Sequence, residues 1–451
     1  MFKRLTPAAF SCALALLFVM PAAAQSLLIE NVTVIDGTGR APVEGASVLV
    51  EEGRIARISR GSLEAAADVQ RLEGRGKFLI PGLVDAHVHL RGTRRLTPEG
   101  LESVAPDFEE GISALHGYLF AGVTTIFDAG NDADFILELR RRERSDEIIA
   151  PRLFTTGSIV TYPGSHGSGA AVTVEDWPEA KAVLDAHIAR GPDMLKLTYE
   201  ERGWGARPMI PKLPLPLMEK IIEYYNERGI RTTVHTASEY RARQAIYAGI
   251  DSLAHPVITG PITDAFARLM AAKRIPMATT LTIGENYSRL AEHPEYLDQP
   301  LYRAILSEDE ITRLKTEVRR DFNERTWTWW MKLMTPIAQE NLRKIHEAGG
   351  ILALGTDQTI GAAVHREMEL LVDAGIAPIK VIRIATQGGA RFLGKADEMG
   401  TVEEGKLADL LLLDADPSVD IDNAKRIAAV IKGGRLIDRD ALSLPIKSPA
   451  D

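Results

Sequence analysis

Cysteine is almost absent from this chain: among its 451 residues only Cys12 occurs, close to the N-terminus. With a single cysteine the chain cannot form an internal disulfide, and a protein of this length relies on its buried core instead. An excess of positive charge is also absent, since 53 lysine and arginine residues stand against 62 aspartate and glutamate residues. This acidic balance argues against a nucleic-acid partner. The content of 45% hydrophobic and 25% charged residues is ordinary for a globular protein.

Residues 1–24 predict an export signal. Lys3 and Arg4 precede the apolar run CALALLFVM, which is followed by Pro21 and three alanines. A basic start, a short apolar stretch and small residues before the cleavage point are typical of a secretory signal, so we expect cleavage after Ala24 and a periplasmic mature chain. That chain would contain no cysteine nucleophile and no further run long enough to span a membrane. An uncleaved membrane anchor is the alternative interpretation.

The remaining chain has two β-rich ends and a centre in which strand-like and helical segments alternate. Residues 25–78 and 396–445 show short alternating segments between glycine-bearing turns, which predicts a small β-sandwich domain built from both termini. In residues 79–395, eight strand segments are counted from LVDAHVHL to ILALGTD, each followed by a helical pattern. This rhythm predicts an α/β fold, a (β/α)8 TIM-like barrel.

A helical insertion is predicted at about residues 284–344, before the last strand segment of the barrel. It carries many charges and the cluster Trp327, Trp329 and Trp330. We interpret it as a lid or an oligomer contact, with an amphipathic helix packed on the barrel as the equal alternative.

Four histidines, one lysine and one aspartate follow in the order that a metal site at a barrel mouth requires. In LVDAHVHL the two-residue period of a strand directs His87 and His89 to one face, so that one strand offers two imidazoles to one cation. The others lie within or just after later strand segments: Lys196, His235, His255 and Asp357. A barrel gathers such positions at one mouth, and imidazole and carboxylate groups are good ligands for zinc-like cations.

These residues and their surroundings resemble the amidohydrolase superfamily, and within it the prolidase-like (Xaa-Pro dipeptidase-like) and imidazolonepropionase-like branch. The resemblance is carried by PGLVDAHVHL, AGVTTIFDAG, VHTASEYRARQAIYAGIDSLAHP, LGTDQTIGAAVHREMELLVDAG and ATQGGARFLGKADEMGTVEEGKLADLLLLDADP. It extends over nearly all of the chain after the predicted signal. The predicted insertion and the stretch after Lys196 are individual to this chain.

The resemblance implies a site for two divalent metal ions, which we expect to be zinc. His87 and His89 would bind the more buried ion, and His235 and His255 the more exposed one. Lys196 would bridge both ions after N6-carboxylation by carbon dioxide or bicarbonate, because carboxylation replaces a repelled ammonium with two anionic oxygens. An uncarboxylated Lys196 would leave a single-metal site.

Asp357 is the residue to which the resemblance assigns catalysis. It would bind a metal, take the proton from the attacking water held as a hydroxide between the two ions, and pass that proton to the leaving amine.

Three further residues are candidates for contact with the substrate. His166 lies in YPGSHGSGA, which matches a Gly-His-Gly-like segment that binds the substrate carbonyl in the family, although Ser165 replaces one glycine. Tyr199 and Arg202 follow Lys196 in YEERGWG and would meet a substrate carboxylate. Family members often have a glycine-rich run at this point, so the departure leaves the substrate undefined.

We therefore expect an exported, metal-dependent amidohydrolase that cleaves an amide C–N bond in dipeptides or N-acyl amino acids. A single-metal hydrolase of cyclic amides similar to imidazolonepropionase, a hydrolase of lactones or phosphotriesters, and a barrel-based binding protein without catalysis stay open. Lys196 distinguishes the two-metal hydrolase of dipeptides or N-acyl amino acids from the single-metal hydrolase of cyclic amides, since a single metal ion needs no bridging ligand. The expected partner is a small-molecule substrate, and a homo-oligomer is left open.

Overall fold

This computed structural model describes residues 26–97, 100–201 and 209–446. The predicted export signal and Arg202 lie outside these residues. The strands are β1 (Leu27–Val34), β2 (Val43–Glu51), β3 (Arg54–Arg60), β4 (Gln70–Glu73), β5 (Phe78–Pro81), β6 (Leu83–Val88), β7 (Arg94–Thr97), β8 (Gly100–Ser103), β9 (Val123–Asp128), β10 (Arg152–Thr155), β11 (Val160–Thr161), β12 (Val172–Thr173), β13 (Met194–Thr198), β14 (Arg231–His235), β15 (Ser252–Leu253), β16 (Pro276–Ala278), β17 (Ile351–Ala353), β18 (Leu410–Leu413), β19 (Ile427–Lys432) and β20 (Arg435–Leu436).

The α-helices connect these strands, and side chains begin many of them. Asp107 and Asp132, for example, accept hydrogen bonds from backbone N–H groups in the first turns of α1 and α2. The helices are α1 (Phe108–Phe120), α2 (Ala133–Arg144), α3 (Glu179–Ala189), α4 (Leu215–Asn226), α5 (Glu239–Tyr247), α6 (Asp264–Lys273), α7 (Leu281–Glu292), α8 (Pro300–Ile305), α9 (Glu308–Arg313), α10 (Arg319–Glu324), α11 (Thr326–Glu347), α12 (Ala363–Asp373), α13 (Pro378–Arg383) and α14 (Gly389–Phe392). Short 3₁₀ segments cover Ser168–Ala170, Pro294–Asp298 and Ile421–Lys425, and π-helical turns cover Leu314–Val318 and Ile384–Gly388.

One sheet of eight strands combines both ends of the chain. Its order is β20-β19-β18-β5-β1-β2-β3, with β4 paired to β1. β18 runs antiparallel to β5, and this pairing joins the C-terminal strands to the N-terminal ones. Apolar side chains from both groups, including Ile29, Val48, Leu410 and Leu412, form a separate buried cluster. The sheet is therefore stabilised by residues that are far apart in the sequence.

Parallel strands make up the centre of the chain. Each of the eight predicted strand segments contains one: β6, β9, β10, β13, β14, β15, β16 and β17. Within the described residues their pairings form two sheets, β10-β9-β6 and β12-β11-β13-β14-β15-β16-β17, rather than one closed ring. Backbone hydrogen bonds of 2.8 Å from Ala86 N to Leu354 O and from Asp193 N to Thr155 O link the edges of the two sheets. The short strands β11 and β12 were not predicted.

The parallel strands are buried on both faces. Every residue of β6, β9 and β13 is buried, as expected where helices cover a parallel sheet. Because neighbouring parallel strands run in the same direction, the segments that follow them meet at one edge. The ends of β6, β13, β14 and β15 therefore bring their side chains together.

The helices α7 to α11 lie between β16 and β17, where the insertion is predicted. α7 and α11 pack closely, since a Cβ on Gly284 would lie 2.6 Å from the Cε atom of Met331. Trp327 and Trp330 are partly buried against the core. In the part of the chain that the structure describes, no helix combines the length and the apolar character needed to cross a membrane.

Candidate metal centre

His87 and His89 lie on the same face at the end of β6, as their spacing predicts. The Nδ1 atom of His87 is 2.9 Å from the carbonyl oxygen of Ala254, and that of His89 is 2.7 Å from the carbonyl oxygen of Gly130. A carbonyl can only accept, so Nδ1 carries the proton in both neutral rings and Nε2 presents a lone pair. This arrangement leaves Nε2 of each ring available as a metal ligand.

Lys196 lies on β13 and is buried, with a relative exposure of 2%. Its Nζ atom is 3.1 Å from Nε2 of His87. Burial holds the pKa of His87 well below its usual value, and the neighbouring Lys196 lowers that pKa further. The imidazole of His87 is therefore neutral, which is the form that binds a cation.

Asp357 follows β17 in a strained backbone conformation, with a φ of +52°. Its backbone N–H donates to the carbonyl oxygen of His87 at 2.7 Å, which fixes the turn against β6. The Oδ1 atom of Asp357 lies 3.7 Å from Nε2 of His87 and 3.3 Å from Nε2 of His89. Left-handed backbone is uncommon outside glycine and often marks a functional position.

Asp85 stabilises the turn at Thr356 and Asp357 through hydrogen bonds to Thr356. It shares the inward face of β6 with His87, and its carboxylate accepts from Thr356 N at 3.0 Å and from Thr356 Oγ1 at 2.6 Å. Burial raises the pKa of Asp85 to about 8. The residue before Asp357 is thereby tied to the strand that carries the first two histidines, a role that sequence analysis missed although Asp85 stands in LVDAHVHL.

His235 and His255 complete the group of predicted ligands. His235 ends β14 and His255 follows β15, and their ring centroids are 4.4 Å apart. The centroid of His255 is 4.6 Å from that of His87. Burial, followed by the proximity of His235, holds the pKa of His255 well below its usual value. The four predicted histidines thus form one cluster together with Lys196 and Asp357.

Thr280 orients His255. Its Oγ1 atom lies 3.0 Å from Nδ1 of His255, and its backbone has a φ of +32°. The next two residues begin α7, and their N–H groups donate to the buried carboxylate of Glu367 at 2.9 and 2.8 Å. Glu367, on α12, therefore holds the start of α7 and with it the hydroxyl that contacts His255.

Glu367→Gln is expected to lower the free energy of unfolding by about 1–3 kcal/mol, because the amide oxygen replaces only one of two acceptors and the NH2 group faces a backbone donor. Urea unfolding of the purified variants measures this change. Glu340→Gln is the control, since Glu340 makes only a surface pair with Arg343 and should leave the midpoint where it is. If the urea concentration at the unfolding midpoint is the same for both variants and the wild type, Glu367 does not hold the start of α7 as inferred.

Glu200 is a site residue that sequence analysis missed. Its Oε1 atom lies 3.1 Å from Nε2 of His235 and 3.5 Å from Nδ1 of His166, and the side chain is buried. The rings of His166 and His235 stack with a centroid distance of 4.3 Å and an angle of 11°. Thr198 Oγ1 donates to the carbonyl oxygen of His166 at 3.0 Å and holds this loop against β13. The strand period that starts at Lys196 could have indicated Glu200, since both lie on the same face.

Tyr199 is placed away from this cluster. Its hydroxyl donates to Oε1 of Gln244 on α5 at 3.0 Å, and the side chain is fully buried. The strand alternation that points Lys196 inward points Tyr199 toward the covering helices. Arg202 lies outside the described residues. Of the three predicted substrate-binding residues, the structure brings His166 to the cluster.

The donor set fits divalent metal ions. The ligand atoms of His87, His255 and Asp357 lie within 4.8 Å of one another, and so do those of His166, Glu200 and His235. Two ligands on a tetrahedral zinc ion at normal bond lengths are about 3.3 Å apart. The separations of 3.7 and 3.3 Å from Asp357 Oδ1 to Nε2 of His87 and of His89 are of this size. Neutral imidazoles and carboxylates at this spacing can hold such ions with small adjustments.

Comparison with known proteins gives the family. Residues 78–437 match the amidohydrolase family, so the chain belongs to it. An uncharacterized protein of Mycobacterium bovis is 28% identical over 221 residues, which are 48% of this chain, and the chain spans about half (54%) of that relative's length. The imidazolonepropionase of Mycolicibacterium smegmatis is 22% identical over 91% of this chain and 95% of its own.

A crystal structure of a Xaa-Pro dipeptidase with bound methionine has the same fold, with a TM-score of 0.73. It is 22% identical and aligns over 92% of this chain and 100% of its own. The predicted family, prolidase- and imidazolonepropionase-like, is thus confirmed. The relatives of this chain in the family include imidazolonepropionases.

Proposed function

We propose that this protein is a metal-dependent amidohydrolase that cleaves the amide C–N bond of dipeptides or N-acyl amino acids. The observation that carries the proposal is the convergence of the predicted residues: Lys196 Nζ lies 3.1 Å from His87 Nε2, and Asp357 Oδ1 lies 3.3 Å from His89 Nε2. Similarity to a Xaa-Pro dipeptidase supports the dipeptide class.

We also propose that the eight parallel strands form a (β/α)8 barrel within residues 79–395, with residues 25–78 and 396–445 as the β-sandwich domain. The hydrogen bonds between β6 and the end of β17, and between β10 and the start of β13, support this arrangement. In such a barrel the functional side chains lie at the carboxyl ends of the strands, where His87 and His235 are found.

Two divalent ions, zinc being expected, would be held by His87, His89, His235, His255 and Asp357, with carboxylated Lys196 between them. Burial of an unmodified ammonium beside neutral imidazoles is unfavourable, which supports carboxylation of Lys196. Bound ions would supply Lewis-acid activation of water and of the scissile carbonyl.

Proton transfer is assigned to Asp357. Its carboxylate takes one proton as water adds to the carbonyl carbon and returns it to the nitrogen when the C–N bond breaks, so the products are a carboxylic acid and an amine. The backbone bond to His87 fixes the carboxylate for this transfer. His166 would contact the substrate carbonyl, and its contacts with Thr198 and Glu200 support this role by fixing its position beside His235.

A single-metal hydrolase of cyclic amides is the second candidate. The match to imidazolonepropionase over 91% of this chain favours it. Buried Lys196 beside His87 favours the first candidate instead, because one metal needs no bridging ligand.

Export to the periplasm is part of the proposal. Its support is the sequence pattern of residues 1–24, with two basic residues, an apolar run and three alanines.

Lys196→Ala is expected to reduce the metal content from about two ions per chain to one or none, because the bridging ligand is lost. The measurement is elemental analysis of protein prepared with zinc and bicarbonate, followed by a screen of dipeptides and N-acyl amino acids. Lys273→Ala, at the exposed end of α6, is the control and should keep both ions. One ion in all three proteins would favour the cyclic-amide hydrolase, and none in any would favour a binding protein.

A further inference from the structure

A chamber of about 160 Å³ lies between the inserted helices and the metal centre. Asp357 and Gln358 form part of its inner wall, and residues of α7 to α10 form its outer wall. An occupant of the chamber would therefore lie beside the carboxylate to which we assign proton transfer. Most of the outer wall is built by the predicted insertion, which is individual to this chain.

Aromatic and aliphatic side chains predominate in the outer wall. They include Tyr287, Leu290, Tyr296, Leu297, Tyr302 and Phe322. The Tyr296 hydroxyl donates to Oδ1 of Asn286 at 3.1 Å, and the Tyr302 hydroxyl accepts from Arg289 at 3.4 Å. Because these two hydroxyls bond to the wall itself, the rings of Tyr296 and Tyr302 present apolar surface to an occupant.

Four charged residues of the wall form two ion pairs. Arg91 contacts Glu310 at 3.3 Å, and Arg366 contacts Glu285 at 3.0 Å. The guanidinium of Arg289 lies 4.0 Å from the centre of the Tyr296 ring. A charged substrate group would have to compete with these pairs, whereas a neutral apolar group would not.

The size of the chamber selects among apolar groups. An apolar cavity of about 150 Å³ accommodates a benzene molecule. A chamber of about 160 Å³ therefore accepts an aryl ring or a branched aliphatic side chain, and a methyl group would leave it largely unfilled.

We propose that this chamber is the specificity pocket of the enzyme and binds an aryl or branched aliphatic group next to the scissile C–N bond. The inference rests on the proposed hydrolase function and narrows its substrates to those with such a group on the acyl or the amine side. Ala363, a buried residue of α12 that lines the chamber, offers a position from which the volume can be reduced.

The test compares N-acetylglycine with N-acetylphenylalanine and N-benzoylglycine. In the wild type, kcat/KM for at least one aryl member should exceed that for N-acetylglycine by about 10-fold or more. Ala363→Leu should bring this ratio close to one by filling the chamber, and Leu297→Ala should shift the preference toward a larger naphthyl group. Ala272→Leu, at an exposed position of α6, should keep the wild-type ratio.

Binding of indole, a neutral aryl probe without a hydrolysable bond, separates the pocket from the catalytic function. Ligand-observed NMR should detect indole on the zinc-loaded wild type and on Ala272→Leu, with loss in Ala363→Leu. If indole binds to the wild type and to Ala272→Leu but not to Ala363→Leu, and no substrate is hydrolysed, the catalytic proposal would be overturned. The role of the chamber as a binding pocket for aryl groups would then be supported. The role of the chamber as the specificity pocket would be overturned if the wild type hydrolysed the aryl substrates and N-acetylglycine with similar kcat/KM. It would also be overturned if neither Ala363→Leu nor Leu297→Ala changed the ratio of these kcat/KM values.

Discussion

Asp357→Asn is expected to lower kcat by about 10²–10⁴-fold on the best substrate of the screen, because an amide cannot take a proton from water at neutral pH. Asparagine has nearly the same shape as aspartate and tolerates left-handed backbone. The φ of +52° and the bond from the backbone N–H to the His87 carbonyl should therefore persist. Much of the bound metal should also remain, since the four histidines and Lys196 are unchanged.

Three measurements on the same preparation separate catalysis from folding in this variant. Steady-state kinetics gives kcat, elemental analysis gives the metal content, and thermal unfolding gives the stability. A large loss of kcat with the metal largely retained and an unfolding temperature near that of the wild type is the expected pattern. Near-normal kcat would assign the proton transfer to another group.

His87→Ala is expected to abolish turnover and to remove at least one metal ion per chain. The Nε2 atom of His87 lies close to both Lys196 Nζ and Asp357 Oδ1, so the substitution removes a ligand from the middle of the proposed site. The turn before Asp357 should survive, because it is bonded to the backbone carbonyl of His87 rather than to the ring. Far-ultraviolet circular dichroism should therefore match that of the wild type.

His365→Ala is the matched control for this experiment. His365 is as fully enclosed as His87, and its Nε2 atom donates to the carbonyl oxygen of Ala121 at 2.9 Å, away from the cluster. Its removal should reduce stability while leaving metal content and turnover in place. Turnover by His87→Ala at the wild-type rate would refute the metal site. An equal loss of turnover and metal in His87→Ala and His365→Ala would show that removal of any buried histidine causes the loss, whatever its position.

The positions of the ligands could be predicted because strand geometry is regular. In β6 a period of two directs His87 and His89 to one face, and the structure has them there. The same rule, applied from Lys196, would have selected Glu200 and rejected Tyr199, whose hydroxyl contacts Gln244. A phenol can meet a substrate carboxylate, but the strand directs Tyr199 to the opposite face from Lys196.

Other features depend on contacts between distant segments and left no local pattern. The carboxylate of Glu367 reaches the first turn of α7 from a helix more than 80 residues later. The left-handed backbone of Thr280 is held by a bond to Gly355 although a β-branched residue disfavours it, and that of Asp357, a residue that tolerates it, is held by a bond to His87. The short pair β11–β12 is too small to show a period.

The helices between β16 and β17 have a consequence for how this enzyme can diversify. Their first residues are anchored to Glu367 on α12, and Asp357 beyond their end is anchored to β6. Exchange of side chains between these anchors should alter the substrate range without displacing the proposed catalytic groups. Libraries confined to Leu290, Leu297 and Leu306 should yield altered selectivity at undiminished metal occupancy, which makes the segment a natural cassette for directed evolution.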